Sequence, residues 1–164
     1  MKQTLHTRGF AAIGLYAPKC EPNVGGVLRA ALNYDAALIA IEGQRYYRQS
    51  SDVLASSRHV PLIHAPLMDV IPHGAVPVAV ELVEGAHSLV NYVHPQSAYY
   101  IFGPEDGSVP TRILSRCRDV VYVPTQYCMN LAATVNVLLY DRMAKKLRSK
   151  SRCQPLELVI NHNP

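Results

Sequence analysis

The stretch that decides the fold runs Ile101-Phe-Gly-Pro-Glu-Asp-Gly-Ser-Val-Pro110, an apolar strand followed by a loop of small and polar residues. A second stretch of the same kind, Val121-Tyr-Val-Pro-Thr-Gln-Tyr-Cys-Met-Asn-Leu-Ala-Ala-Thr-Val135, continues directly into a helical pattern. In an open parallel sheet, ligands bind at the carboxyl ends of the strands, where such loops begin. The two stretches therefore predict a small-molecule site that is built largely from backbone.

The site predicted at these loops is not a phosphate cradle, because GxGxxG and GxxxxGK[ST] are both absent from the chain. On the residues alone, Gly103-Pro104 and Asp106-Gly107 are equally consistent with simple turns, and Glu105 with a surface acid. No nucleophile–base pair is evident in the sequence, which favours a reaction in which positioning supplies most of the catalysis.

Outside these loops, the chain alternates between apolar runs and helical patterns. Short apolar runs predict strands at 10–16, 36–41, 60–63, 76–82, 99–102 and 120–123. Apolar residues at helical spacing predict a first helix from about Asn23 to Asn33, with Asn23 as a candidate N-cap, and a long closing helix from about Leu131 to Leu147. A short helix is expected at 88–93. Such alternation predicts an α/β fold, a mostly parallel sheet with helices on both faces.

The totals indicate one globular domain over residues 1–164, with 49% hydrophobic and 17% charged residues. The net charge of +4 permits an anionic partner without requiring one. A basic cluster lies near the C-terminus and is consistent either with a solvated helix end or with a phosphate-contacting patch: Arg142, Lys145, Lys146, Arg148, Lys150 and Arg152. The tail 154–164 is expected to be peripheral.

The cysteines and the apolar runs bear on the compartment. Four cysteines without a CxxC pair or metal-ligand spacing indicate a reduced, cytoplasmic protein without a structural metal. The apolar run that follows Lys2 and Arg8 is short and leads into Pro22-Asn23, so we interpret it as a strand rather than a signal peptide. No run approaches the ~18 apolar residues of a membrane span, so no membrane partner is expected.

Two groups of basic residues are candidates for function. Asn23 and Arg29 are six residues apart, so within one helix they would lie about 240° apart around the axis. They converge on one ligand only if Asn23 lies in the loop before the helix, and a lone arginine is more often an ion-pair partner or a solvated charge. Arg45-Tyr-Tyr-Arg48 combines cations with stacking rings, as single-stranded RNA recognition needs, but a solvated loop explains it equally well.

Taken together and in order, three motifs of this chain resemble those of the SpoU/TrmH branch of the SPOUT RNA methyltransferases. Each motif follows a predicted strand, and the resemblance covers nearly the whole chain. The first motif has Asn23, Gly25 and Arg29; the second has Gly103, Glu105, Val109 and Pro110; the third has Val123, Pro124, Cys128, Met129 and Asn130. Two positions depart from the family pattern: Cys128 stands where the family has serine, and Ser108 where it usually has glycine.

The resemblance implies a fold and an activity. It implies a deep trefoil knot formed by about residues 77–148, a homodimer, and transfer of a methyl group from S-adenosylmethionine to a ribose 2′-hydroxyl of RNA. Among family members the chain looks most like the minimal enzymes that methylate the wobble nucleotide of tRNA. The alternatives are a ribosomal RNA substrate or a non-catalytic RNA-binding protein of the same fold.

The resemblance also implies roles for individual residues. Arg29 would fix a phosphate and stabilise developing oxyanion charge, with Glu105 and Asn130 orienting it and the ribose, and Asn23 shaping the loop that carries it. The cofactor would contact Val80, Gly103, Val123, Cys128 and Met129. RNA would be bound by Arg45, Arg48 and Arg58.

Overall fold

The computed structural model describes residues 8–46 and 58–151, with seven parallel-paired strands in this part of the chain. The strands are β1 (Ala11–Tyr16), β2 (Ile39–Glu42), β3 (Leu62–His64), β4 (Val76–Val80), β5 (His87–Ser88), β6 (Ala98–Phe102) and β7 (Asp119–Tyr122). They form one sheet in the order β3-β2-β1-β6-β4-β7-β5, and each neighbouring pair is parallel. The predicted α/β class with a parallel sheet is therefore confirmed.

Helices cover one face of this sheet, and shorter turns cover the other. The helices are α1 (Glu21–Asn33), α2 (Thr111–Leu114) and α3 (Leu131–Ser151). Helices α1 and α3 share the larger apolar core, which includes Leu28 and Leu138. The smaller core on the opposite face contains Tyr99, Ile113 of α2 and Leu67 of the 3-10 turn Leu67–Asp69. The second face therefore carries only the four-residue helix α2 and a 3-10 turn, a thinner layer than the helices predicted for both faces.

Most sequence-based element boundaries shift by one to three residues in the structure. The prediction that Asn23 is the N-cap is wrong, because α1 begins at Glu21 and its N-cap is Cys20. Pro22 explains the earlier start, since proline fits the first helical turn, where a backbone N–H has no intrahelical acceptor. The short helix expected at 88–93 is a 3-10 turn at Leu89–Asn91. Strand β5 and helix α2 escaped prediction because two- and four-residue elements carry no periodic signal.

The order of the strands shows how the chain passes around β4. After β4 the chain runs to β5 at the edge of the sheet, and then returns across β4 to β6. It crosses once more to β7, which fills the gap between β4 and β5. Helix α3 then packs on α1 so closely that a Cβ added at Gly26 would lie 2.7 Å from the Cβ of Ala132. The beginnings of α1 and α3, which carry two of the three motifs, are therefore neighbours.

One part of the C-terminal basic cluster is buried rather than solvated. Arg142 is only 4% exposed, and its guanidinium donates to the carbonyl oxygens of Phe10, Pro95 and Gln96 and to the hydroxyl of Tyr100. Lys145 donates to the carbonyl oxygens of Leu89 and Tyr92 and pairs with Asp141. Both readings of the cluster were therefore wrong for Arg142, whose charge serves to attach α3 to the loop before β6.

His94 completes this group, which we call the buried network: His94, Tyr100, Asp141, Arg142 and Lys145. Burial lowers the pKa of His94 to about 4, against the opposing effect of Asp141, so the ring is neutral at pH 7. A neutral ring has one donor and one acceptor. Nε2–H then donates to Asp141 (2.8 Å), and Nδ1 accepts from the Tyr100 hydroxyl (2.6 Å). The hydroxyl in turn accepts from Arg142 at 3.1 Å, so the donors and acceptors match.

Candidate active site at the carboxyl edge of the sheet

Three of the residues predicted to bind the cofactor lie at the carboxyl ends of adjacent strands. One is the last residue of its strand, and the other two come directly after theirs. Val80 ends β4 and is in register with Phe102 of β6 on one side and with Val121 of β7 on the other. Gly103 directly follows Phe102, and Val123 comes two residues after Val121. Because β6, β4 and β7 are neighbours in the sheet, Gly103, Val80 and Val123 converge on one short stretch of its carboxyl edge.

Gly103 lies where the second-motif loop turns back over the strand end. A Cβ at this position would lie 3.0 Å from the backbone nitrogen of Val109 and 3.3 Å from a carboxylate oxygen of Glu81. That oxygen accepts a hydrogen bond from the Val109 N–H at 2.9 Å, and the other oxygen accepts one from the Leu82 N–H at 3.1 Å. Glycine therefore lets the loop close tightly on the end of β4, and Glu81 holds it there.

Glu105 joins the first motif to the second. One carboxylate oxygen accepts from the backbone N–H of Lys19 at 2.9 Å. The other accepts from the Cys20 N–H and from the side-chain amide of Asn23, both at 3.0 Å. Partial burial acts to raise the pKa of Glu105, but these hydrogen bonds outweigh it and lower the pKa. Glu105 is thus an ionised clamp on the loop between β1 and α1.

Arg29 does not join this clamp. Both Asn23 and Arg29 lie within α1, so they are about 240° apart around its axis and face in different directions. Arg29 is exposed, and it makes no hydrogen bond or ion pair with any residue that the structure describes. The expected orientation of Arg29 by Glu105 and Asn130 is therefore not present in this structure, where Glu105 holds Asn23 instead.

The third motif forms the start of α3. The side-chain oxygen of Asn130 accepts a hydrogen bond from the Ala133 N–H at 2.7 Å, which is the geometry of an N-cap. Its amide N–H₂ group has no acceptor within residues 8–46 and 58–151 and can donate to a ligand. Just before it, Cys128 is exposed and Met129 is half-buried. Asn130 therefore has a structural use that the sequence did not reveal, besides its predicted contact with substrate.

Of the predicted RNA-binding residues, Arg45 is already engaged within the protein. Its guanidinium forms two hydrogen bonds to the carboxylate of Asp106, at 2.5 and 3.2 Å, and Lys19 Nζ contacts the same carboxylate at 3.1 Å. Hydrogen bonds from Arg45 and then Lys19 hold the pKa of Asp106 well below its usual range. Arg58 is exposed, and Arg48 lies outside the described residues.

Three residues of the site escaped sequence analysis: Lys19, Glu81 and Asp106. Glu81 follows β4 as directly as Gly103 follows β6, so its position after an apolar run was a usable signal. Lys19 and Asp106 carried no such signal, because they are separated by 87 residues and only the fold brings them together.

Within the described residues, no group of three or more His, Cys, Asp or Glu side chains could hold a metal ion. None of the helices in the same ranges is long and apolar enough to cross a membrane.

Comparison with known proteins agrees with this geometry. The family model described as "SpoU rRNA Methylase family" matches residues 11–140. The chain belongs to the SpoU methylase family. The matched region contains all three motifs and the whole carboxyl edge of the sheet.

Solved structures support the same fold at low sequence identity. The SpoU methyltransferase AviRb from Streptomyces viridochromogenes in complex with AdoMet is 16% identical, with a TM-score of 0.76 over 88% of this chain and 63% of that one. The TrmH/SpoU tRNA modifying enzyme of A. aeolicus is 13% identical, with a TM-score of 0.75 over 91% and 81%. A protein whose structure concerns the 2-OH methylation of C/U34 on tRNA is 23% identical. Its TM-score is 0.70, over 87% of this chain and 99% of that one.

The extent of these matches differs between relatives. The chain spans 63% of the length of AviRb and 59% of the length of an rRNA methyltransferase from Sinorhizobium meliloti. A sequence comparison with curated proteins finds no significant match.

Proposed function

We propose that this protein is an S-adenosylmethionine-dependent RNA methyltransferase that modifies a ribose 2′-hydroxyl, with the wobble nucleotide of tRNA as the favoured target. The observation that carries the proposal is the convergence of the three motifs at one edge of the sheet. Glu105 of the second motif clamps Asn23 of the first, while Gly103, Val80 and Val123 line adjacent strand ends.

The residues at this edge fit the proposed cofactor. Val80 and Val123 offer apolar contacts at strand ends, Met129 adds a polarisable thioether, and the carboxylates of Glu81 and Glu105 suit a cationic ligand. When bound, S-adenosylmethionine supplies a methyl group that its sulfonium already activates. The protein then has mainly to orient the ribose hydroxyl for in-line attack, which can contribute about 7–11 kcal/mol.

Arg29 is the residue to which we assign the substrate phosphate and the developing charge on the 2′-oxygen. Its guanidinium presents several N–H donors in a fixed fork and stays protonated, so it is suited to an anion rather than to proton abstraction. Because Arg29 has no partner among the described residues, it is available to RNA. Glu105 holds Asn23 and the loop before α1, the helix that carries Arg29, and we assign the side-chain amide of Asn130 to a hydrogen bond with the ribose.

Two observations bear on the substrate. The C/U34 tRNA structure is covered over 99% of its length, which favours tRNA. The family description names rRNA, so ribosomal RNA is the second candidate.

The proposal includes a trefoil knot over about residues 77–148 and a homodimer. The placement of β7 between β4 and β5, which both precede it in the chain, supports the knot, since the last part of the chain returns to the interior of the sheet. Val137 and Tyr140 of α3 are large apolar side chains that are 39% and 57% exposed, and they support a dimer contact through this helix. Light scattering of the purified protein measures the dimer directly.

Transfer of labelled methyl from S-adenosylmethionine to tRNA that lacks native methylation tests the function. Nuclease mapping then locates the label, and we expect it on a ribose 2′-oxygen of the wobble nucleotide. Label on ribosomal RNA alone would move the assignment to the second candidate. Absence of label from both RNAs, together with absence of cofactor binding by calorimetry, would favour a non-catalytic RNA-binding protein, with Cys128 as the first position to revert to serine.

A further inference from the structure

Two ion pairs of opposite polarity join the end of β2 and the residues that follow it to the second-motif loop and to α2, the helix directly after that loop. Arg45 pairs with Asp106, and Arg112 pairs with Glu42, so each segment supplies one cation and one anion. Glu42 also accepts a hydrogen bond from the Leu67 N–H at 2.8 Å. The segment 42–45 is therefore fastened to the loop that carries Gly103 and Glu105.

Within this arrangement, the Arg45 side chain is held at three of its nitrogens. Nε donates to the carbonyl oxygen of Ala17 at 2.9 Å, and the two terminal nitrogens donate to the two oxygens of Asp106. The backbone N–H of Arg45 also donates to the Pro18 carbonyl at 3.0 Å. Such a two-pronged contact fixes the plane of the guanidinium as well as its position.

Arg45 nevertheless remains open to solvent. Its side chain is 39% exposed, and its remaining N–H groups have no acceptor within residues 8–46 and 58–151. Lys19, which contacts the same carboxylate, is 61% exposed. Two cations therefore surround one carboxylate, and together they offset both Asp106 and the neighbouring ionised Glu105, so the exposed cations are not outweighed by negative charge.

We propose that Asp106 is a positioning residue that holds Arg45 for a contact with a phosphate of the RNA backbone. This inference rests on the proposed function, because it takes RNA as the substrate. A mobile arginine loses side-chain freedom when it binds phosphate, whereas an arginine already fixed in one plane loses less. Asp106 thus strengthens RNA binding even though its own charge is repelled by phosphate.

The alternative is that Asp106 masks Arg45, and the two effects have opposite signs. If Asp106 positions Arg45, the Asp106→Asn substitution weakens RNA binding. If Asp106 instead masks the charge of Arg45, the substitution strengthens RNA binding because a negative charge is lost. If Asp106 acts only through Arg45, the substitution has no further effect in a chain that lacks Arg45.

A double-mutant cycle on the full chain decides between them. The dissociation constant for unmodified tRNA is measured at one fixed salt concentration for the wild type, Asp106→Asn, Arg45→Ala and the double variant. We expect Asp106→Asn to raise the dissociation constant about tenfold in the wild-type background and less than about twofold in the Arg45→Ala background.

Asp35→Asn is the matched control, since it makes the same charge change at an exposed position before β2, at the other edge of the sheet. Asp35 has φ of 54°, a conformation that asparagine also adopts readily, so the control should fold normally. We expect the control to bind tRNA like the wild type. Thermal unfolding of each variant confirms that all are folded at the assay temperature.

A second readout follows Arg45 itself. The Nε–H of Arg45 should exchange slowly with solvent in the wild type and in Asp35→Asn, and rapidly in Asp106→Asn, as seen by NMR. Tighter or unchanged tRNA binding by Asp106→Asn would overturn the proposal, as would an equal loss in the Arg45→Ala background. If the wild-type protein does not transfer methyl groups, that result counts against the proposed function. The double-mutant cycle on tRNA binding would still test the role of Asp106.

Discussion

Two polar clusters of this protein use the same residue types for opposite purposes. The carboxyl-edge cluster comprises Lys19, Asn23, Arg45, Glu105 and Asp106, and it lies at the surface with donors still available. In the buried network, by contrast, the donors form hydrogen bonds to backbone carbonyl oxygens and to other side chains of the network. Its members are His94, Tyr100, Asp141, Arg142 and Lys145.

The difference is clearest in their arginines. Arg142 is buried and saturated by four acceptors, so it stabilises the attachment of α3. Arg29 is exposed and has no partner in the described part of the chain, so its charge is available to a ligand. Burial with complete hydrogen bonding marks Arg142 as a structural charge, whereas the exposure of Arg29 is compatible with the role proposed for it above. The following predictions test that distinction, beginning with the largest expected effect.

Arg142→Ala should destabilise the protein by about 3–5 kcal/mol, because it leaves several buried acceptors unpaired and opens a cavity beneath α3. Chemical denaturation measures the loss. Arg116→Ala, which removes an exposed arginine, is the control and should change the free energy of unfolding by less than about 0.5 kcal/mol. Similar small values for both variants would mean that the network does not hold α3.

Arg29→Ala should show the reverse behaviour. We expect methyl transfer to fall by about 10²–10³-fold, as for loss of a group that stabilises transition-state charge, with the unfolding midpoint unchanged. Arg29→Lys keeps the charge but loses the planar fork, so it should restore only part of the activity. A variant that loses stability as much as activity would place Arg29 with the structural arginines.

His94 should make the buried network sensitive to acid. Its pKa is near 6.5 in the unfolded chain and about 4 in the folded protein, where Asp141, Arg142, Lys145 and Tyr100 surround it. The unfolded chain therefore takes up the proton first as the pH falls. The stabilisation is complete above pH 6.5 and is lost progressively towards pH 4, by up to about 3 kcal/mol.

Urea unfolding between pH 7.5 and pH 5 measures this dependence. His94→Gln replaces the ring with a neutral amide, so its stability should vary less over the same range. The same slope in both proteins would show that another group is responsible.

Adjacent tyrosines in β6 provide the smallest and most closely matched comparison. Tyr100 belongs to the buried network, whereas the Tyr99 hydroxyl is buried without a hydrogen-bond partner among the described residues. Tyr100→Phe should cost about 1–3 kcal/mol, since it leaves Arg142 and His94 each short of a partner. Tyr99→Phe should be neutral or slightly stabilising, because it removes a buried polar group that has no partner. Thermal unfolding of the two variants side by side tests the contrast, and an equal loss in both would contradict it.

Much of the fold was predictable because it follows from local patterns. The apolar runs at β1, β4 and β6 and the helical spacing from Leu131 onwards correctly predicted their elements. Asn23 was misplaced as a cap because Cys20 and Pro22 start the helix earlier. Short elements such as α2 were missed, since their stability comes from contacts rather than from propensity.

By itself, the sequence determined the α/β class, the three motifs and their places after strands, because periodicity and turn chemistry act over a few neighbouring residues. Only the tertiary structure decided which charges meet. Glu105 clamps Asn23 from 82 residues away, Asp106 holds Arg45 from 61, and Arg142 reaches Phe10 from 132. Such pairs depend on strand order and helix packing, and an arginine has the same chemistry in the sequence whether it becomes buried and saturated or exposed and free.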